Sequence, residues 1–542
     1  MTNAKYKTTA GLGRSILQRC ILICLLAGLV SGAPAKASEP TKPNIIFILV
    51  DDMGYSDLGS YGGEVQTPNL DQLAENGMRF TQMYNTAKCF PSRACLLTGV
   101  YAQESGMAKR HGAIQNAVTL GEVLRTAGYR TWASGKHHGT ENLYDRGFDH
   151  YYGLRHGASN MWNPGGVTRE GEMTPGRKGS KRPFCIDEQT IEPYTPPIGW
   201  YATDAFTDYA LKWLEEPAYQ EDPFFLYLSY TAPHYPLHAW PEDIAKYKGR
   251  YDAGYTEIQK ERYQRMVDMQ LIDPTVTPFT PLDDSEWNQL SGIELEKEKL
   301  RMEIYAAMID RVDQNIGRIL DTLRAQGKLE NTLIMFASDN GGCAAGTGAK
   351  VKSSDINEFG KVGSYEAVGK NWATVQNTPL RYWKNYSHEG GINTPFIVSW
   401  PDGIKEVGGF YREPAHFIDI MATLVEITGA SYPETFNDQN ITPVQGISLL
   451  PAFENESLNR TEPLFWQWGK GGAIRDGKMK AVFLEGKWEL FDISKDRNES
   501  NDLSLQYPEK LERLKQMHAE WYASTASGKS RMVGLQAITE KE

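Results

Sequence analysis

Four apolar runs of this chain each lead into residues that can do chemistry. Asp51-Asp52 close the first, Lys136-His137-His138 the second and Asp339-Asn340 the fourth, while His234 and His238 follow the third. A thiol, Cys89, stands four residues before Arg93 in NTAKCFPSRACLLTG, residues 85–99. Carboxylates and an amide are hard oxygen ligands, suited to Ca2+ or Mg2+ and not to a soft metal. Pro91 puts Cys89 near the N-terminus of a helix, where backbone N–H groups and the helix dipole favour an anion. With Arg93 adding a fixed positive charge, a thiol there ionises readily. Cys89 therefore has three readings: a core thiol, half of a disulfide, or a nucleophile.

These groups meet only if strands deliver them to one rim. NIIFILVDDMG, from Asn44, is a continuous β-branched run that predicts a buried parallel strand. YRTWASGKHHG, PFFLYLSYTAPHYPLH, TLIMFASDNGG and TPFIVSWP (394–401) predict further strands. Helices separate them. TPNLDQLAENG has Thr67 as N-cap, Pro68 at the first position and Gly77 as stop, and TLGEVLRTAGY has a capping box, Thr119 with Glu122. A third runs from Ile304 through Leu323 to a stop at Gly327. Alternation of this kind predicts an α/β fold with a mainly parallel sheet, whose ligands bind beyond the carboxyl ends of the strands. One strand ending in charge is an ordinary solvated turn; four such ends are not. Two interruptions, 155–199 and 240–291, are expected as loops over that rim, where substrate selectivity resides. After about Phe453, PLFWQW, GAIRDGKMKAVFL, KWELFDI and a closing helix predict a smaller α+β domain with an antiparallel sheet. The expected division is 38–453 and 454–542.

The chain has 542 residues, 40% of them hydrophobic and 23% charged. Lys5, Lys7, Arg14 and Arg19 precede CILICLLAGLVSGA, and Ala35-Lys36-Ala37 reads as a cleavage site. Residues 1–37 are thus expected to be a secretory signal peptide, and the mature protein exported, periplasmic or secreted, without a membrane anchor. Cleavage removes these five basic residues and no acid, which takes the formal charge from −11 to −16. Such a chain is no nucleic-acid binder, and an anionic substrate needs a local positive site. Four cysteines remain, Cys89, Cys95, Cys185 and Cys343. Two disulfides are the ordinary expectation for an oxidising compartment, though a chain this long does not need them to fold.

Cys89-Phe90-Pro91-Ser92-Arg93-Ala94-Cys95-Leu96-Leu97-Thr98-Gly99 matches, at every specified position, the signature of type I sulfatases. The similarity runs from PNIIFILVDDMGYSDLGSYGG to the closing helix, and NTPLRYWKNYSHEGGINTPFIVSWP resembles bacterial arylsulfatases in particular. The resemblance implies an alkaline-phosphatase-like fold. It also implies that a sulfatase-maturating enzyme converts Cys89 to Cα-formylglycine before folding, the aldehyde hydrate being the nucleophile. Asp51, Asp52, Asp339 and Asn340 would hold Ca2+ with residue 89, Mg2+ being the competitor. Arg93 would hold the hydrated aldehyde. Lys136 and His138 fall in a Gly-Lys-x-His motif, with His138 as the base that collapses the sulfated hemiacetal. His234, in APHYPL, and Lys384, in YWKNYSHEGG, would bind sulfate and protonate the leaving oxygen.

Two alternatives accompany the implied hydrolysis of an aryl or carbohydrate sulfate ester, on a sulfated small molecule or glycan. One is a phosphonate monoester or phosphodiester hydrolase; the other is a secreted glycan-binding protein whose Cys89 stays unmodified. Phe465-Trp466-Gln467-Trp468 stands where such sulfatases often carry Phe-Trp-Glu-His, so a substrate-facing histidine is absent. His137 and Asp419 read as structural, His111 and His150 as loop residues. His238 and His388 read equally as substrate contacts or satisfied histidines, and Arg381 and Glu389 as shaping the loop around Lys384.

Overall fold

Ile45, Phe47 and Leu49 belong to one large buried cluster and Ile46, Ile48 and Val50 to another, on opposite faces of a single sheet. This is why the first apolar run shows no alternation: its strand is covered on both sides. The computed structural model describes residues 42–176, 182–346, 355–469, 471–527 and 529. The expected signal peptide lies outside the described residues.

The large sheet contains β1 (Asn44–Val50), β2 (Met78–Tyr84), β3 (Arg130–Gly135), β4 (His150–Leu154), β5 (Phe184–Ile186), β6 (Gln189–Ile191), β7 (Phe224–Ser229), β8 (Thr332–Ser338), β9 (Asn393–Ser399), β10 (Gly409–Tyr411) and β11 (Ala415–His416). Its order is β10-β2-β9-β8-β1-β7-β3-β4-β5-β6, with β11 also on β2. The neighbours β8, β1, β7 and β3 are mutually parallel, so their carboxyl ends share one rim. The helices Ala202–Leu214 and Gly292–Ala325 cover one face, and Cys89–Thr98, Leu120–Arg125 and Asp419–Thr428 the other.

The TPFIVSWP run forms β9, but antiparallel to both β8 and β2. Only the short helix Glu389–Ile392 precedes it, which is no crossover. The Thr119–Glu122 capping box is present. Thr67 does precede Pro68–Glu75, but its hydroxyl accepts from Gly59 N at 3.0 Å and donates to Asp71 at 3.1 Å without capping the helix. The 240–291 stretch carries three helices, Pro241–Ala245, Tyr255–Asp268 and Ser285–Gln289, and braces the chain beyond β1: Arg262 reaches Asp57 at 2.6 Å and Glu64 at 2.7 Å. It supplies no residue to the pocket at the rim.

After a small hairpin, β12 (Thr435–Phe436) and β13 (Gln439–Asn440), the chain forms an antiparallel meander. It comprises β14 (Leu464–Trp468), β15 (Gly471–Asp476), β16 (Met479–Leu484) and β17 (Lys487–Asp492), with the helix Pro508–Ser524 following. GAIRDGKMKAVFL is thus two strands, folded at Gly477, whose φ of 59° suits glycine. The meander packs on the large sheet through Trp466, whose indole lies 5.4 Å from the Tyr84 ring and donates to Asn85 O at 2.6 Å. All four cysteines are free, so neither expected disulfide forms.

Candidate active site

Cys89 opens the helix Cys89–Thr98, with Lys88 extended before it as N-cap. The helix begins at the cysteine itself, so Pro91 sits inside the first turn. Ser92 holds the approach to it: its hydroxyl accepts from Thr86 N at 2.9 Å and meets Thr86 Oγ1 at 2.9 Å. The chain leaves β1 and β3 through left-handed residues, Asp52 at φ 68° and His138 at φ 72°, conformations that cost energy outside glycine and cluster at functional sites. Gly135, just before Lys136, has φ 114°, and a Cβ there would come within 1.9 Å of Ser229 O. No other residue fits.

Buried ion pairs lock the strand ends together. Lys136 Nζ donates to Asp51 Oδ2 at 2.5 Å, and Arg93 Nε to Asp339 Oδ2 at 2.8 Å. Arg93 Nη1 donates to Lys136 O at 2.8 Å and to the Ser229 hydroxyl. Asp52 Oδ1 accepts from Asn340 Nδ2 at 2.7 Å and from Lys384 Nζ, while His234 Nε2 lies 3.4 Å from Asp52 Oδ2. All ten site residues expected from the sequence are buried except His138, which is half-buried. Ligand atoms of Asp51, Cys89 and Asp339 lie within 4.8 Å of one another, as do those of Asp51, Asp52 and His234. Asp51 Oδ1, Asp52 Oδ2 and Asn340 Oδ1 are buried and make no hydrogen bond. Convergent oxygens left in this way fit a hard divalent cation.

The electrostatics follow from this packing. Burial opposes ionisation of Asp51, but Lys136, His234 and Arg93 outweigh it and bring the carboxyl to about 2. Asp52 is lowered further: burial is overcome by His234 and Lys384. Burial and the Asp51 charge push Asp339 well up. The Cys89 thiol comes down to about 7, because Lys136 and Lys384 overcome its burial. His138 is driven well below the ordinary imidazole range by burial, then by Lys136 and Arg93, so it is a neutral base at pH 7. Lys384 stays charged, since Asp52 more than offsets its burial.

Above this core lies a pocket of about 560 Å³ lined by Cys89, His138, His234 and Lys384. Asp51, Asp52, Arg93, Lys136, Asp339 and Asn340 stand behind those four. Phe90, Trp383 and Trp468 give it aromatic wall, with Phe90 and Trp468 5.1 Å apart edge to face. The 155–199 loop does reach the rim, through His156 and Arg182. His111 also lines the pocket, although its sequence context gave it no role, and so do Lys88 and Arg110. Their signal was weak because Lys88 and the Arg110-His111 pair come from loops far apart in the chain. His238 is core: its Nδ1 accepts from Met161 N at 3.3 Å and its Nε2 donates to Ser364 O at 3.1 Å. His388 pairs with Glu489 at 3.3 Å, His137 with Glu141 at 3.2 Å and His150 with Asp187 at 3.1 Å. Asp419 accepts from His416 N and Ile447 N around its helix start.

An arylsulfatase of Klebsiella aerogenes is 33% identical over 451 residues, 78% of this chain and 94% of its own. An uncharacterized sulfatase of Schizosaccharomyces pombe is 31% identical over 524 residues, covering 88% and 93%. The solved structure of Ps i-CgsB in complex with k-i-k-neocarrahexaose superposes with a TM-score of 0.65 at 27% identity, covering 90% and 94%. The Sulfatase family matches residues 43–430, which contain every strand of the large sheet and all ten of the convergent residues. The chain therefore belongs to the sulfatase family and is a sulfatase, a hydrolase of sulfate esters.

Proposed function

We propose that the protein is an exported hydrolase of carbohydrate or aryl sulfate esters that uses formylglycine at position 89 and Ca2+. The observation that carries this is the placement of Cys89 on the pocket floor, at a helix N-terminus, among Lys384, His138 and His234 and beside Asp51 and Asp339. Asp51, Asp52, Asp339 and Asn340 would hold the cation, which supplies positive charge for the sulfate oxygens and the nucleophile. In the aldehyde-hydrate form residue 89 supplies the attacking oxygen, and its second hydroxyl lets sulfate leave without water attacking sulfur. Arg93 fixes Asp339 behind it. Neutral His138 takes the hydroxyl proton that this release requires. Lys384, charged and held by Asp52, and His234 hold the sulfate and meet the charge that grows on the departing oxygen. A saccharide-sized cavity and its aromatic wall support a sugar as the rest of the ester.

Purified protein from a host with sulfatase-maturating activity tests this. Peptide mass spectrometry should find the thiol-to-aldehyde loss at residue 89, and nitrophenyl sulfate should be cleaved with a higher kcat/KM than the matching phosphodiester. Active protein with a free Cys89 thiol would refute the nucleophile. A phosphodiester preference would move the protein to the phosphonate hydrolase alternative.

A further inference from the structure

Asp51 and Asp52 are aimed by a short turn that backbone strain and crowded carboxylates would both open. Asp52 sits at φ 68°, and the Asp51 carboxylate has a ligand atom within 4.8 Å of one from Asp52 and one from Asp339. Every backbone N–H of that turn is tied down. Asp51 N donates to Ala232 O at 3.0 Å, Asp52 N to Asp339 Oδ1 at 3.4 Å, Met53 N to Ser338 Oγ at 3.0 Å and Gly54 N to Asp57 Oδ2 at 2.8 Å. The last of these anchors is itself held from outside the site. Tyr305, on the helix Gly292–Ala325, donates its hydroxyl to the same Asp57 oxygen at 2.7 Å, with Asp52 O on a longer branch at 3.3 Å. Arg262 pairs with the other Asp57 oxygen at 2.6 Å. The Tyr305 hydroxyl thus stands between the carboxylate that holds Gly54 and the carbonyl of the left-handed residue. Tyr305, Asp57 and Arg262 are buried, and none of the three lines the pocket. At such depth no water replaces a lost partner, so each of these bonds is costly to break.

We infer that Tyr305 and Asp57 are positioning residues for the divalent cation: they hold the Asp52 turn in its left-handed form and so set the affinity of the site. This rests on Asp51, Asp52, Asp339 and Asn340 holding Ca2+. It goes beyond that assignment by naming the groups that aim two of those ligands. Neither residue reaches the pocket, so their effect on turnover passes through the acids.

Calorimetric titration of chelator-treated Tyr305→Phe protein with CaCl2 tests this without turnover. The substitution keeps the ring and removes one hydroxyl, and Asp57 retains Gly54 and Arg262 as partners. The Kd for Ca2+ should rise about tenfold or more. Half-maximal turnover of nitrophenyl sulfate should need correspondingly more Ca2+, while kcat and KM at saturating Ca2+ should match those of the parent. Asp57→Asn should weaken Ca2+ in the same direction, and the two losses combined in one chain should be less than additive, since both act on one hydrogen bond. Tyr247→Phe is the control: it removes another buried hydroxyl, which donates to Asp310 Oδ2 at 2.9 Å, and should lower the melting temperature without changing the Kd for Ca2+. A Tyr305→Phe protein that is merely less stable, with the parent's Kd, would overturn the proposal. So would a loss of kcat that excess Ca2+ does not restore. A parent protein that takes up no Ca2+ in the calorimeter would instead sink the metal assignment, and this proposal with it.

Discussion

Lys480, on β16 of the C-terminal meander, donates to Glu389 Oε1 at 2.7 Å, and the same ammonium lies 2.8 Å from Glu499 Oε1. Glu389 begins the short helix that follows the Lys384 loop, and its backbone N–H donates to Glu499 Oε2 at 2.7 Å. All three side chains are fully buried. The meander therefore clamps the loop that presents Lys384 to the pocket.

Removing one partner of such a cluster leaves uncompensated buried charge, at a cost of about 3–5 kcal/mol. Lys480→Met should lower the urea midpoint accordingly, and the double variant with Glu389→Gln should recover part of the loss. Where Lys480→Met still folds, kcat should fall because Lys384 is no longer fixed. A variant of unchanged stability and kcat would show that the clamp has no effect.

Lys384 itself should show a leaving-group signature. Lys384→Ala should slow esters of poor leaving groups more than nitrophenyl sulfate, since a good leaving group hardly needs a proton. The slope of log kcat/KM against leaving-group pKa should steepen, and parallel losses would remove Lys384 from acid catalysis.

Chelation should both inactivate and destabilise the protein, because Asp51, Asp52 and Asp339 lose the cation that offsets their mutual repulsion. A ligand held at a hundred times its Kd stabilises by about 2.7 kcal/mol, which a melting curve resolves easily. Ca2+ should restore both properties, and Asp339→Asn should raise the concentration required. Full activity in protein shown by elemental analysis to be metal-free would exclude this role.

Burial pushes His238 down to about 4, and its two hydrogen bonds, one accepted and one donated, need the neutral ring. In the unfolded chain the same ring titrates near 6.5. As pH falls from about 6.5 to 4 the unfolded chain gains a proton that the folded one refuses, so stability drops, by roughly 3 kcal/mol at pH 4. His416, buried and lowered to about 3, acts in the same direction. His238→Gln should be less stable at pH 7 but lose less between pH 7 and 4.5. An unchanged pH slope would exclude His238 as a source.

The central strands were legible because burial on both faces writes itself as an unbroken apolar run, as in β1, β7 and β8. Their end residues were legible for the same reason: Asp51, His234 and Asp339 could only be rim residues once the strands were placed. β2 escaped because its pattern is irregular, matching a register shift against β9 between Phe80 and Met83. The helix Tyr255–Asp268 was hidden by charge, since its Arg262 is spent on Asp57 and Glu64 inside the protein. Lys88, Arg110 and His156 could not be linked from sequence, because only the folded loops bring them to one pocket.

Trp468, on the first strand of the meander, lines the same pocket as Cys89, and Cys89 is 2% exposed once that wall is in place. A modifying enzyme has no access to it afterwards. Ribosomes adding about 5–20 residues per second reach Leu464 roughly 20–80 s after Cys89. On the proposed conversion of residue 89, the distance along the chain between the cysteine and the wall that seals it would set a clock for that conversion, and faster synthesis should leave a larger fraction of the protein with a free thiol.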